Sequence, residues 1–420
     1  MTDVLTVERL TFGFDALAHR DRRVVFVPYA APGDRVTAEI VESRADFTRA
    51  RIVEVLEPGP ARVLPGCRHF PTCGGCQWQH IAPAAQRDAK AAIVAEQLAR
   101  SAGVRDAEVL PTLTTGDDWH YRARITLVVE GRRAGYHRAR SHRLVEVDAC
   151  PLAEPVLSAH LDAARRWIAA LRVPLRRVAL AVAPGGVVLT GVTAAAAGAR
   201  DAEATEALLA RTPTVRGAVL ADPAGRGRLV VGDPRLRVAL EPGLDLEVPA
   251  DVFTQVNPAA NRLLVAAVMA LGGFVPGERV LDLYAGAGNF TLPVARRGTR
   301  VAGIERNPIA AAAGRENAAR LGLRDVTFET APVVAALARR APETADVVVL
   351  DPPRAGAADA IPALGALRAR RIVYVSCDAA TLARDVRLLA AHGYRVARVQ
   401  PIDLFPQTFH VETVTLLLLT

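Results

Sequence analysis

Five cysteines divide this chain between two kinds of chemistry. Cys67, Cys73, Cys76 and Cys150 lie in the first 150 residues, and Cys377 stands alone near the end of the 420. The spacing Cys67-x5-Cys73-x2-Cys76, closed by the distant Cys150, supplies four soft ligands suited to tetrahedral zinc or to a four-iron cluster. Spacing alone leans towards zinc. An odd cysteine count argues against a disulfide framework. Cys377 ends the apolar run RRIVYVSC and precedes the helix-forming DAATLARD. A thiol there faces backbone N–H groups and a helix dipole that favour the thiolate, the nucleophilic form. Its bland alternative is a small buried hydrophobe. Glu412, at the start of a late strand, is a carboxylate that could take a proton from a reacting carbon.

A second constellation is the glycine turn Asp282-Leu-Tyr284-Ala-Gly286-Ala-Gly288, placed where a strand becomes a helix so that the backbone can approach a ligand. Glu305, ending the next strand, can accept hydrogen bonds from ribose hydroxyls. Thr291 stands where a dinucleotide fingerprint needs its third glycine, and no Lys is present to make a P-loop. The D-x-x-x-G-x-G order resembles the nucleoside-methionine loop of class I methyltransferases.

These residues need elements to hold them. From about residue 260, apolar strands alternate with helices, as in a parallel sheet covered on both faces. RVLDLYAG at 279–286, RVAGIERN at 300–307, ADVVVLDPPR at 345–354 and RRIVYVSC at 370–377 each deliver polar residues at the carboxyl end, the edge where doubly wound folds bind ligands. YRVARVQPIDLF and HVETVTLLLLT read as a closing antiparallel pair. Residues 1–58 alternate like a small oligonucleotide-binding barrel, with strands at 24–30, 35–42 and 50–57. The Pro-rich 57–66 is a linker, 84–103 a helix stopped at Gly103, and the stretch to about 250 a mixed α+β region. The expected division is 1–58, 59–250 and 251–420.

Net charge is +8, carried mostly by Arg, which favours a polyanionic partner such as nucleic acid over a membrane. Base composition of the genome accounts for much of the choice of Arg over Lys. No apolar run is long enough to span a bilayer and no signal peptide is readable, so the chain is expected to be cytoplasmic. Oligomeric state leaves no trace in the sequence.

Four motifs occur together in order: Phe253-Thr-Gln255-Val-Asn257, Asp351-Pro-Pro-Arg354, Ser376-Cys377-Asp-Ala-Ala-Thr and Phe405-Pro-Gln-Thr-Phe-His410-Val-Glu412. This set resembles the RNA uracil-C5 methyltransferase family, over nearly the whole chain. The resemblance implies a class I (Rossmann-like) α/β methyltransferase domain behind an OB-like TRAM barrel and a central α+β RNA-binding region. It implies S-adenosylmethionine held by Gln255, Tyr284, Gly286, Gly288, Asn289, Glu305 and Asp351, with Cys377 as nucleophile and Glu412 as base. Asp351 and Arg354 would hold the cofactor or polarise the uracil. HFPTCGGCQWQH and the Cys-Pro at 150 resemble the family's iron–sulfur branch, which shifts the metal expectation to a [4Fe–4S] cluster on Cys67, Cys73, Cys76 and Cys150. Phe70, Trp78 and His80 could stack on bases or pack around the metal. The implied substrate is RNA, 23S ribosomal RNA first and transfer RNA as the alternative; an inactive RNA-binding module is a further one. Three positions depart from the family pattern: Ala285, the pair Asp378-Ala379, and Gly13-Phe-Asp in the barrel.

Overall fold

The computed structural model describes residues 2–222, 227–342 and 344–420. The first 57 residues close into a five-stranded barrel of Thr2–Leu10, Asp15–Arg20, Arg23–Pro28, Thr48–Glu57 and Arg35–Ser43. Period-two alternation puts Leu5, Val7, Val25, Val27, Val36 and Ala38 inside. The central region is a seven-stranded sheet, antiparallel except where Gly186–Thr193 runs parallel to Val215–Ala221 across the helix Ala199–Arg211.

The carboxyl-terminal sheet has eight strands in the order Val326–Thr330, Arg300–Glu305, Arg279–Leu283, Val347–Leu350, Arg371–Ser376, Glu412–Leu419, Tyr394–Ile402 and Glu108–Val109. The first five are parallel and the expected closing pair follows antiparallel. The order reverses between Arg279–Leu283 and Val347–Leu350, which opens a crevice at their carboxyl ends. Asx residues start the flanking helices. Asn257 caps Pro258–Gly272, Asn307 caps Pro308–Arg320 and Asp378 caps Ala379–Ala390, each accepting from backbone N–H groups of the first turn. Asp378 Oδ1 accepts from both Ala380 and Thr381 N–H, at 3.0 and 2.9 Å. The hairpin Arg235–Glu241/Leu244–Pro249 buries Leu236, Val238, Leu244, Leu246 and Val248 in the same core as the helix Pro258–Gly272. No helix among the described residues is long and apolar enough to cross a membrane.

The helix Pro83–Gln97 widens into a final π-type turn and stops at Gly103, whose φ is +73°. Its buried face carries two polar residues, Gln86 and Lys90, beside Ile93 and Val94. Lys90 is 0% exposed, with Nζ 2.5 Å from Asp403 Oδ1 and 3.1 Å from the Phe405 carbonyl. Lys90→Met alone would leave Asp403 buried without its counter-charge, an expected loss of about 3–5 kcal/mol in denaturant or thermal unfolding. Adding Asp403→Leu removes the orphaned charge and is expected to recover most of that stability.

Candidate active site

The turn after Arg279–Leu283 is bent at positive φ on every second residue: Tyr284 at +63°, Gly286 at +56° and Gly288 at +102°. A Cβ at Gly288 would lie 2.9 Å from Leu292 Cγ, so the turn closes directly on the next helix. Glu305 braces it from the neighbouring strand, one carboxylate oxygen accepting from Gly286 N–H at 2.9 Å and the other from Asn307 N–H at 2.6 Å. Thr291 donates to the buried Asp282 carboxylate at 2.5 Å. Burial holds the Asp282 carboxyl well up, at about 7.

A crevice of about 480 Å³, counting its open mouth, lies over this turn. Gln255, Tyr284, Gly286, Asn289 and Asp351 give it polar groups, and Val238, Leu246 and Val248 of the hairpin give it an apolar wall. Such a lining fits an elongated ligand with an amino-acid end and a flat apolar end, as S-adenosylmethionine has. Gly288 and Glu305 are outside the lining and shape the turn beneath it. Asn289 is held by a reciprocal amide pair with Asn261, at 2.9 and 3.1 Å. Asn261 was not singled out from sequence, and Thr291 was noted only as the residue in place of a third glycine, not as the partner of Asp282. The only signal for Asn261 is its position four residues after Asn257, on the same helix face.

Cys377 follows Arg371–Ser376 at once. Ser376 is paired with Thr413 in the antiparallel ladder, so the next step outward juxtaposes Cys377 and Glu412. Asp351, after the neighbouring strand Val347–Leu350, joins them from the crevice side. Glu412 is 2% exposed. Burial and then Asp351 push its carboxyl well above the usual range, against the opposing pull of Arg354. Asp351 is likewise raised, by burial and Asp282. Arg354 Nη2 lies 3.3 Å from His410 Nε2, and burial lowers His410 to about 3, leaving a neutral ring that can accept from the guanidinium.

The thiol departs from expectation. The helix dipole should favour the thiolate, yet burial, then Glu412 and Asp351, push Cys377 up to about 12. Two close carboxyls and lost solvation outweigh one helix N-terminus. Alkylation of Cys377 in the free protein should therefore be slow at pH 7 and rise up to about tenfold per pH unit towards pH 10. Iodoacetamide labelling of the Cys377 peptide, followed by mass spectrometry, measures this. A plateau reached below pH 8 would contradict the burial argument.

The four early cysteines line one cavity of about 490 Å³, open mouth included, with Phe70, Gln79, Arg122 and Tyr136. Cys67 N–H donates to Gln79 Oε1 at 3.1 Å and Cys150 N–H to Ser158 Oγ at 3.2 Å. Burial raises Cys73 to about 11 and Cys76 to about 12. Among the described residues no group of three or more His, Cys, Asp or Glu is arranged to hold a metal ion. Four thiols lining one cavity are the donor type that either zinc or an iron–sulfur cluster takes. Trp78 and His80 are buried, Trp78 in the barrel core, and so are unavailable for stacking on bases. Phe70 packs on the His80 ring at 5.7 Å and on Tyr29 at 5.4 Å.

A family model described as the TRAM domain matches residues 4–53, and one described as conserved hypothetical protein 95 matches residues 243–394. The chain is 40% identical to the 23S rRNA (uracil(1939)-C(5))-methyltransferase RlmD of Alkalilimnicola ehrlichii, over 94% of this chain and 92% of that one. It is 35% identical to the protein of the same name in Pectobacterium atrosepticum, over 99% and 93%. Among solved structures, the Pyrococcus abyssi tRNA (uracil-54, C5)-methyltransferase in complex with S-adenosyl-L-homocysteine superposes over the whole of both chains, with a TM-score of 0.75 and 25% identity. With relatives this similar along almost its full length, the chain belongs to the RlmD family of RNA uracil-C5 methyltransferases.

Proposed function

We propose that this protein methylates C5 of a uridine in 23S ribosomal RNA, using S-adenosylmethionine and a transient bond between Cys377 and uracil C6. The observation that carries this reading is the juxtaposition of Cys377 and Glu412 across one ladder, with Asp351 between them and the crevice. The names of the curated relatives support the ribosomal substrate, and the barrel and basic net charge support RNA docking. A ribosomal RNA substrate supports a cytoplasmic location.

Uracil C5 is a weak nucleophile, so the chain must activate it. Cys377 gives up its proton to solvent, its thiolate forms a bond to C6, and the C5=C6 electron pair moves into an enolate with carbanion character at C5. When bound, S-adenosylmethionine would supply a methyl group on a cationic sulfonium and leave as the neutral thioether S-adenosylhomocysteine. Gln255, Tyr284, Gly286, Asn289 and Asp351 orient it from the crevice wall, while Gly288 and Glu305 keep the turn open for it. Once C5 carries the methyl group, Glu412 in its carboxylate form removes the C5 proton. The electron pair restores C5=C6 and the C6–S bond breaks, returning Cys377 as a thiolate. Arg354, held by neutral His410, is placed to polarise the ring.

Cys67, Cys73, Cys76 and Cys150 are proposed to hold a [4Fe–4S] cluster that pins the central region for RNA docking and takes no part in the methyl transfer. The working division of labour is a docking barrel at 1–58, a central RNA-binding region at 59–250 and a catalytic region at 251–420. Iron and sulfide analysis of anaerobically purified protein tests the cluster; stoichiometric zinc would replace it.

The substrate reading is tested with methyl-labelled S-adenosylmethionine and unmodified 23S and transfer RNA transcripts. Label at C5 of one uridine in the 23S transcript is expected. Preference for transfer RNA, the substrate named for the solved relative, would redirect the assignment. Failure on both transcripts would refute it.

A further inference from the structure

The loop that leads to Glu412 is held from outside the catalytic sheet. Three consecutive carbonyls between Tyr394–Ile402 and Glu412–Leu419 are taken by residues from the amino-terminal third of the chain. Phe405 O accepts from Lys90 Nζ at 3.1 Å, Pro406 O from the Tyr121 hydroxyl at 2.9 Å, and Gln407 O from the N–H groups of Gln77 and Trp78 at 3.1 and 3.0 Å. Gln86 completes the bracket. Its Oε1 accepts from Gln407 N–H at 2.9 Å, and its Nε2 donates to Gln407 Oε1 at 3.0 Å and to the carbonyls of Ile81 and Trp78. Gln407 itself is kept at a φ of +68°.

Loops usually run over the surface and satisfy their carbonyls with water. Here the donors are themselves buried, and two of them, Gln77 and Trp78, follow directly on Cys76. A buried ion pair such as Lys90–Asp403 is a poor device for stability, because apolar residues of the same volume do as well or better. What it and Gln86 give that an apolar face cannot is a fixed position for each backbone atom of the loop.

We infer that Gln86 and Lys90 are positioning residues for Glu412, holding its carboxylate where the C5 proton will be; this rests on the reading of Glu412 as the base. Cys377 is held separately, directly after the strand Arg371–Ser376 and before a helix capped by Asp378, whereas Glu412 opens the strand that follows the bracketed loop and pairs there with Ile402. Slackening the bracket should therefore spare addition and methyl transfer and slow only the last step. In that step the C5–H bond breaks, the proton passes to Glu412, the pair re-forms C5=C6, and the C6–S bond releases the thiolate.

The experiment is a single turnover of the full-length protein with a 23S fragment carrying ordinary uridine and methyl-labelled S-adenosylmethionine. It follows both label in the denaturant-stable protein–RNA complex and label in free RNA. The variants are Gln86→Leu and the charge-neutral pair Lys90→Met/Asp403→Leu, with Glu412→Gln as reference and thermal melts as a folding check. We expect both bracket variants to form the methylated complex at the normal rate and to release it roughly tenfold to a hundredfold more slowly. A purely structural role would lower both steps together. If Glu412→Gln accumulates the complex but neither bracket variant does, the positioning role is wrong. If Glu412→Gln accumulates none, the base assignment itself fails. The two bracket variants are independent, so poor folding of one leaves the other to decide.

Discussion

Cys377→Ala is expected to lower turnover by on the order of 10⁴-fold or more, because without the thiolate C5 has no route to carbanion character. The sharper readout is RNA carrying 5-fluorouridine at the target. Fluorine at C5 leaves no proton for Glu412 to remove, so the wild-type protein should stop as a covalent complex after methyl transfer, whereas Cys377→Ala should give none. Binding of S-adenosylmethionine should survive, since Cys377 is not part of the crevice lining. A denaturant-stable complex with the alanine variant would sink the nucleophile assignment.

Glu412→Gln carries the second large effect, a fall in release of about 10²- to 10⁴-fold with a methylated complex left on the protein. The sign of its pH dependence follows from the site. Glu412 takes a proton only when ionised, and burial with Asp351 beside it has moved that ionisation well above the ordinary carboxylate range. Release should therefore rise with pH through this elevated value, and the glutamine variant should lose that limb. The raised Cys377 thiol acts in the same direction on addition, so the overall rate should climb from neutral to alkaline pH with no optimum on the acid side. Rapid-quench measurement of the two steps across pH separates the contributions, and a release rate independent of pH would exclude Glu412 as the base.

What the sequence made legible was the part where local pattern and chemistry coincide. Apolar strands ending in polar residues at Asp351 and Cys377 marked a ligand-binding edge, and the glycine turn marked the crevice. The barrel strands at 24–30, 35–42 and 50–57 were readable from alternation, while Thr2–Leu10 and Asp15–Arg20 needed the closed sheet to define them. Less legible were features that depend on what packs from afar. Gln86 and Lys90, four apart on an alanine-rich helix, look like a solvated face; only the arriving loop at 403–407 makes them core. Trp78 and His80 resemble base-stacking residues until the barrel covers them. The direction of the Cys377 shift was misjudged because a helix start is visible in sequence, whereas the two carboxyls beside the sulfur come from other strands.

The strand Glu108–Val109 is only two residues long, yet it pairs along the outer side of Tyr394–Ile402, with Arg398 bonded to Glu108 at 2.7 Å. An uncovered strand there would offer a row of open N–H and C=O groups to any other chain. The catalytic sheet thus borrows its protective border from the front of the molecule, as it borrows the hairpin wall. A piece cut at residue 251 would expose a sticky flank and half a crevice. Any exchange or truncation of the amino-terminal regions has to carry this border along, or it leaves the catalytic sheet with an open edge.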